Sequence, residues 1–316
     1  MSQAEADANV EADVNTGVKA GEDADAAHRA AVLEHPIAHS LSPVLHTAAY
    51  AQLGLSDWAY ERHDVDETQL AEFMAQLDDS WAGLSLTMPL KKAVFPLLQY
   101  IEPLAEVTGS VNTVLFSGKG VARMAVGTNT DVYGVVQALR EGIAQHETQF
   151  PAKPVSVVIG AGATAASAVA ALAELGCTAP VVVVRSLGRT GELRAAAGRM
   201  GIEPTFVSLN KAREVLVKAD LVVSTLPPHA ADDLAAELTE HLAPESDTQP
   251  LRGVLLDVAY DPAPTALIQA WRAAGGIAVT GERMLLHQAV EQVRLMTGKR
   301  GPIDAMAAAL ERALAS

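Results

Sequence analysis

From Arg29 onward, short apolar and β-branched runs alternate with stretches whose apolar positions recur at three- and four-residue spacing. Ala30 to Leu33 reads as a strand. After a loop comes a helix in which Leu45, Ala49 and Leu53 share a face; Ser42 is expected to cap it, Pro43 to occupy its first turn and Gly54 to end it. Trp58 to Val65 reads as a second strand. Glu67 to Leu77 reads as a helix with Leu70, Phe73, Met74 and Leu77 on one face, a stripe explained by core packing. Leu84 to Leu86 is a short strand, Ala93 to Tyr100 a helix, and VNTVLF and VARMAVG flank SGKG as a hairpin. These elements make an α/β unit of about 100 residues, an ordinary domain size.

A second rhythm follows Pro151 and Pro154. Val155 to Ile159 is an apolar run, as expected for a parallel strand buried on both faces. A glycine-rich turn, a helix over Thr164 to Leu175 and strands at Val181 to Val184, Leu221 to Ser224 and Val254 to Val258, with helices between, predict a doubly wound sheet. Met284 to Leu295 and Ile303 to Leu314 are helical on either side of Gly298. Periodicity alone leaves open which domain these last helices join.

Composition narrows the function classes. The chain has 316 residues, 49% of them hydrophobic and 19% charged, enough for one large or two medium domains. A formal net charge of -15 argues against sequence-independent nucleic-acid binding, which needs basic surface to displace counterions. Cys177 is the single cysteine, so neither an intrachain disulfide nor a cysteine-rich metal site is expected. Residues 1–28 are rich in Ala, Asp and Glu and read as a disordered acidic tail. They lack the basic start and apolar run of a secretory signal, and no later stretch is apolar for the length of a membrane span. A soluble cytoplasmic protein is expected, without a membrane partner. His39, His46 and His287 show no metal-ligand spacing and read as structural or peripheral.

Gly160, Gly162 and Ala165 form G-x-G-x-x-A, with Ala163 inside the turn, directly after a predicted strand and at the start of a helix. In that context the glycines permit a tight turn and close approach of the backbone to a pyrophosphate, which the helix N-terminus stabilises. At the end of the next strand, where an acidic residue would receive the ribose 2′-hydroxyl of NAD, the chain carries Arg185, Ser186 and Arg189. Two guanidinium groups suit a 2′-phosphate, so NADP is the expected cofactor. An isolated surface arginine is more often merely solvated; two at this position favour the phosphate.

Polar residues also cluster where strands of the first unit end: Ser40 and Ser42 in HPIAHSLSP, Thr87 and Lys91 in LTMPLK, Asn112 in VNT and Asp131 in GTNTD. Singly each has a bland reading as cap, turn residue or exposed lysine. In this order and at these separations they resemble the shikimate dehydrogenase family, whose pattern runs approximately NPIxHSxSPxxHN, GxNVTxPxK, AVNT, GxNTDxxG, GAGGAxxA, NRTxxRA and MLxxQA; the resemblance spans Ala31 to about Gly298.

The resemblance implies an N-terminal α/β substrate-binding domain (residues 29–130 and 281–316, the C-terminal helices returning to it) and a Rossmann NADP-binding domain (131–280). It implies reversible NADP-dependent reduction of 3-dehydroshikimate to shikimate, on the route to chorismate and the aromatic amino acids, by a monomer or homodimer. Lys91 and Asp131 match the catalytic pair. Ser40 and Ser42 match the groups that bind the substrate carboxylate, Thr87, Asn112 and Gln288 those that contact the carboxylate or ring hydroxyls, and Tyr260 a position close to substrate. Gly160, Gly162, Ala163, Ala165, Arg185, Ser186, Arg189 and Gly281 fall on the cofactor side.

Four positions depart from the pattern: Glu34 replaces a glycine before the His-Pro, Ser85 an asparagine in GLSLT, Thr47 the asparagine after His46, and Val184 the asparagine before Arg185. The alternatives are a quinate/shikimate dehydrogenase of broader range and a shikimate-binding regulator that has lost catalysis. Another two-domain NADP enzyme, such as methylenetetrahydrofolate dehydrogenase, would lack HSLSP and NTD.

Overall fold

A computed structural model describes residues 27–38, 40–146, 149–241, 251–261 and 263–315. Residues 1–26 of the expected acidic tail and His39 lie outside these, while His28, counted with the tail, instead opens the first strand.

The first domain runs β1 (His28–Glu34), α1 (Ser42–Leu53), β2 (Trp58–Asp64), α2 (Leu70–Ala75), β3 (Trp81–Leu86), α3 (Leu90–Ala93), β4 (Tyr100–Ile101), α4 (Pro103–Thr108), β5 (Thr113–Ser117) and β6 (Met124–Thr128). Its sheet has the order β2-β1-β3-β5-β6-β4; β1 pairs parallel with β2 and β3, while β5 is antiparallel to both β3 and β6. Because side chains alternate along a strand, β1 serves two cores. Ala30 and Val32 pack with Leu45 and Tyr50 of α1 on one face, and Ala31 and Leu33 with Leu70, Leu84 and Leu90 on the other.

Three local expectations need correction. Ser42 does not cap α1: it is the first helical residue, Leu41 holds the cap position, and no side chain caps the helix. Pro43 and the left-handed Gly54 (φ 67°) do mark its ends. The helix expected over Ala93 to Tyr100 does not form. Pro96 has no N–H to return to the Lys92 carbonyl, so the chain makes a 3-10 turn over Phe95–Leu97 and then the short β4. The hairpin connection is longer than SGKG: β6 begins at Met124, and a 3-10 turn at Gly120–Ala122 fills the loop.

α5 (Asp131–Ile143) leads into the second domain: β7 (Ser156–Ile159), α6 (Ala163–Glu174), β8 (Val181–Val184), α7 (Gly191–Arg199), β9 (Thr205–Ser208), α8 (Ala212–Leu216), β10 (Leu221–Ser224), α9 (Asp232–His241), β11 (Val254–Asp257), α10 (Ala266–Ala273) and β12 (Ile277–Val279). The order is β12-β11-β10-β7-β8-β9 with every pairing parallel. Val158 faces a layer containing α5, α6 and α7, whereas Val157 and Ile159 face α8, α9 and α10. Strand order reverses between β7 and β10, and the crevice at their carboxyl ends is where such sheets take ligands.

The chain then returns. α11 (Gly281–Thr297) and α12 (Ile303–Leu314) place Leu286, Ala289, Val293, Met306 and Leu310 in the core beside Ala30, Val32 and Leu45. α11 also lies along α5, so the two covalent crossings between domains run side by side. Their approach is close: a Cβ on Gly134 of α5 would stand 2.8 Å from the Met284 carbonyl oxygen.

Candidate active site

Lys91 lies in the single turn of α3, its N–H bonded to the Thr87 carbonyl and its own carbonyl accepting from Val111 N–H. Its ammonium donates to Asp131 Oδ2 at 2.6 Å, with side chains 12% and 4% exposed. Asp131 begins α5, where the helix dipole favours a carboxylate. The preceding Asn129 fixes that helix start: its Oδ1 accepts from Val132 N–H, and its Nδ2 donates to the Ser110 carbonyl at 2.9 Å and to Ser167 Oγ of α6 at 3.1 Å.

Asn112 Nδ2 donates to Asp131 Oδ1 at 2.8 Å, so both carboxylate oxygens of Asp131 are held. Asn112 is itself fixed by Thr130, whose backbone N–H donates to its Oδ1 at 2.8 Å, and both residues approach Gln288 Oε1 of α11 at 3.4 Å. Lys91, Asp131, Asn112 and Gln288 therefore form one hydrogen-bonded cluster from four separate parts of the sequence.

Behind it runs a buried polar chain that the sequence reading did not single out. Gln292 Nε2 donates to Thr113 Oγ1 at 2.9 Å, and Thr113 donates to Asn112 Oδ1 at 3.0 Å. Gln292 Oε1 accepts from Ser85 Oγ at 3.0 Å, and Ser85 accepts from Tyr60 OH at 2.7 Å. His46 stacks on Tyr60 with ring centroids 3.8 Å apart and faces Gln292. Burial pushes the His46 imidazole down to about 3, so it is neutral at physiological pH. The available signal for this chain was Gln292 itself, one helical turn beyond Gln288.

A cavity of about 910 Å³ opens between the domains and is lined by Glu34, Ser40, Leu226, Tyr260, Arg272 and Glu282, among others. Ser40 and Tyr260 thus reach it. Ser42 does not line it and is buried at the start of α1. The Thr87 hydroxyl donates to the Met88 carbonyl at 3.4 Å and does not line the cavity. Glu34 stands at the cavity wall and within electrostatic reach of Lys91; burial raises its carboxyl above the usual range, opposed by Thr87 and the Lys91 charge. Burial likewise raises the Tyr260 phenol, helped by the negative charges of Glu34 and Asp261.

A cavity of about 590 Å³ lies over the carboxyl ends of β7 and β8, lined by Gly160, Ala161, Arg185, Ser186 and Arg189 together with Leu209, Leu226, Pro227 and Ala230. Leu226 belongs to both cavity walls, so the two spaces adjoin. Gly160 has φ 113° and a Cβ there would meet Thr225 Oγ1 at 2.5 Å, so the turn requires glycine. A Cβ on Gly162, at the cap of α6, would meet no atom within 4 Å, leaving the backbone open to a ligand. Gly162 and Ala163 face a further recess, shared with Lys92 and Glu192. Ala165 is fully buried against the sheet. A Cβ on Gly281 would stand 2.3 Å from the Val258 carbonyl oxygen, so this glycine permits α11 to start against the end of β11. These features fit a dinucleotide carrying a 2′-phosphate.

Three family profiles match: the shikimate dehydrogenase substrate binding domain over residues 32–114, shikimate / quinate 5-dehydrogenase over 143–261, and the shikimate 5'-dehydrogenase C-terminal domain over 281–311. The shikimate dehydrogenase (NADP(+)) of Thermosynechococcus vestitus is 34% identical, covering 90% of this chain and 94% of the relative. The chain belongs to the shikimate dehydrogenase family. The corresponding enzyme of Methanothermobacter thermautotrophicus is 31% identical over 91% of this chain and 97% of its own. Among solved structures, Mycobacterium tuberculosis shikimate dehydrogenase superposes with a TM-score of 0.77 at 36% identity, covering 90% of this chain and 99% of that one. The Thermus thermophilus family member solved with NADP(H) and shikimate gives a TM-score of 0.71 at 32% identity, covering 91% and 100%.

Proposed function

We propose that this chain catalyses the reversible NADP-dependent reduction of 3-dehydroshikimate to shikimate, with Lys91 and Asp131 as its catalytic pair. The observation that carries the reading is the buried Lys91–Asp131 contact at 2.6 Å, in a fold shared with a relative solved with NADP(H) and shikimate.

NADP, when bound, supplies or accepts the hydride at its nicotinamide. The protein's part is to hold the ring and manage charge and a proton at the reacting oxygen. During reduction negative charge builds on the ketone oxygen, and the Lys91 ammonium stabilises it and delivers the proton. Asp131 orients that ammonium; its own orientation is set by Asn112 on the opposite oxygen. Ser40 and Tyr260 line the substrate cavity and Gln288 joins the catalytic cluster. The buried position of Ser42 at the start of α1 supports a role in shaping the α1 entrance. Arg185, Ser186 and Arg189 receive the 2′-phosphate, and Gly160 and Gly162 admit the pyrophosphate.

Among the described residues no helix is long and apolar enough to cross a membrane. We place the enzyme in the cytoplasm, as a monomer or homodimer.

The test is the change in NADPH absorbance with shikimate, quinate and their ketones, repeated with NAD. Turnover of shikimate with NADP is expected. Preference for quinate with NAD would replace this reading with that of the Corynebacterium glutamicum quinate dehydrogenase, a structure similar at 26% identity and a TM-score of 0.74. No turnover on any would favour a ligand-binding regulator.

A further inference from the structure

Glu34 closes β1 at the wall of the large cavity, where the family pattern carries a glycine. Two relationships define its setting. It shares the cavity wall with Ser40 and Tyr260, and it lies within electrostatic reach of Lys91. The Lys91 charge is already matched at hydrogen-bond distance by Asp131. A carboxylate at Glu34 therefore leaves the Lys91, Asp131 and Glu34 group with one uncompensated negative charge.

The surroundings do not cancel it. Asp261 and Glu282 also line the cavity and add to it; Arg272 lines the same wall, and the Arg62 guanidinium reaches the Ser40 carbonyl at 3.2 Å. On the neighbouring strand, Asp64 is taken up by His35 at 2.6 Å.

We propose that Glu34 is a specificity-determining residue of the substrate site, a fixed acidic group that discriminates against a carboxylate on the ligand and in favour of an uncharged group in the same place. The proposal rests on the functional reading above. Like charges held at the distances of one small cavity oppose each other strongly where water is partly excluded. The effect falls on binding, since the ligand carboxylate keeps its charge throughout hydride transfer; it therefore moves KM and leaves kcat nearly alone.

The experiment compares shikimate with its methyl ester, at saturating NADP, in the wild type, Glu34→Gln and Glu34→Gly, with melting curves to establish that each variant is folded. Both variants should lower KM for the acid about tenfold or more while KM for the ester stays within about threefold. Because Glu34→Gln keeps the size and hydrogen-bonding capacity of the side chain, a matching result in both variants assigns the effect to charge. An equal fall for acid and ester, an unchanged ratio, or a rise in KM for the acid overturns the proposal. Shikimate turnover by the variants but not by the wild type supports the proposal and overturns the functional reading for the wild-type chain. Absence of turnover by all three proteins on both compounds overturns that reading and the proposal with it.

Discussion

Gln292 donates to Thr113 Oγ1 at 2.9 Å, tying the long C-terminal helix to the strand that follows Asn112. Through Thr113 and Asn112 this contact reaches Asp131. Gln292→Leu removes the amide and leaves Ser85 and Thr113 short of partners in a dry environment. A loss of roughly 1–3 kcal/mol in stability is expected, measured by urea unfolding, together with a fall in kcat. A Gln292→Leu protein with wild-type kcat would show that Asn112 holds Asp131 without support.

Lys91 and Lys92 are adjacent but have different partners: Asp131 for the first, Glu192 on α7 for the second. Lys91→Met should lower kcat about 10²- to 10⁴-fold, with a much smaller change in KM. Lys92→Met should leave kcat within about threefold, because it loses only an exposed ion pair. Steady-state kinetics on the two variants decide the assignment, and equal losses would defeat it.

Arg185 and Arg189 line one cavity with Ser186. Replacing both by Ala should raise KM for NADP by about 10- to 100-fold, the cost of losing charge-assisted hydrogen bonds. KM for NAD should change little. The ratio of the two is the measurement, and a parallel rise would mean the arginines shape the site without reading the phosphate.

Glu141 bonds Arg283 and lies 2.8 Å from His287 Nε2. Burial alone would raise its carboxyl; the hydrogen bonds and charges of Arg283 and His287 outweigh it and bring it down to about 2. A carboxyl depressed on folding stabilises the native state above its unfolded value near 4.5 and loses that contribution as pH falls toward about 2. Stability measured from pH 5 to about 2 should therefore fall less steeply in Glu141→Gln than in the wild type.

A Cβ on Gly134 would press on the Met284 carbonyl oxygen at 2.8 Å. Gly134→Ala should cost about 1–3 kcal/mol by forcing α5 and α11 apart, visible as a lower Tm. Unchanged stability would show that the helices separate freely.

The second domain was legible because buried parallel strands leave uninterrupted apolar runs, as at Val181 to Val184, and because the glycine-rich turn sits between a strand and a helix. Lys91 and Asp131, 40 positions apart, were associated by motif order, since periodicity carries no information about which strand ends converge. Other features were hidden for physical reasons. Ser42 looks like a cap in sequence, but it stands one residue inside the helix and is buried. Ser85, Thr113 and Gln292 are polar residues that a binary pattern assigns to the surface, whereas in the fold each finds its partner inside. Pro96 was read past; its missing N–H is what breaks the helix there.

The return of α11 and α12 to the first domain has a consequence for biogenesis. A chain emerges from the ribosome N-terminus first, yet the core beneath β1 and α1 needs Leu286, Val293, Met306 and Leu310. The nascent first domain must therefore carry Ala30, Val32, Leu45 and Tyr60 with that face uncovered while the whole second sheet is synthesised through Val279. The domain begun first is the last to be sealed, and its apolar face is the one that most needs a chaperone while translation continues.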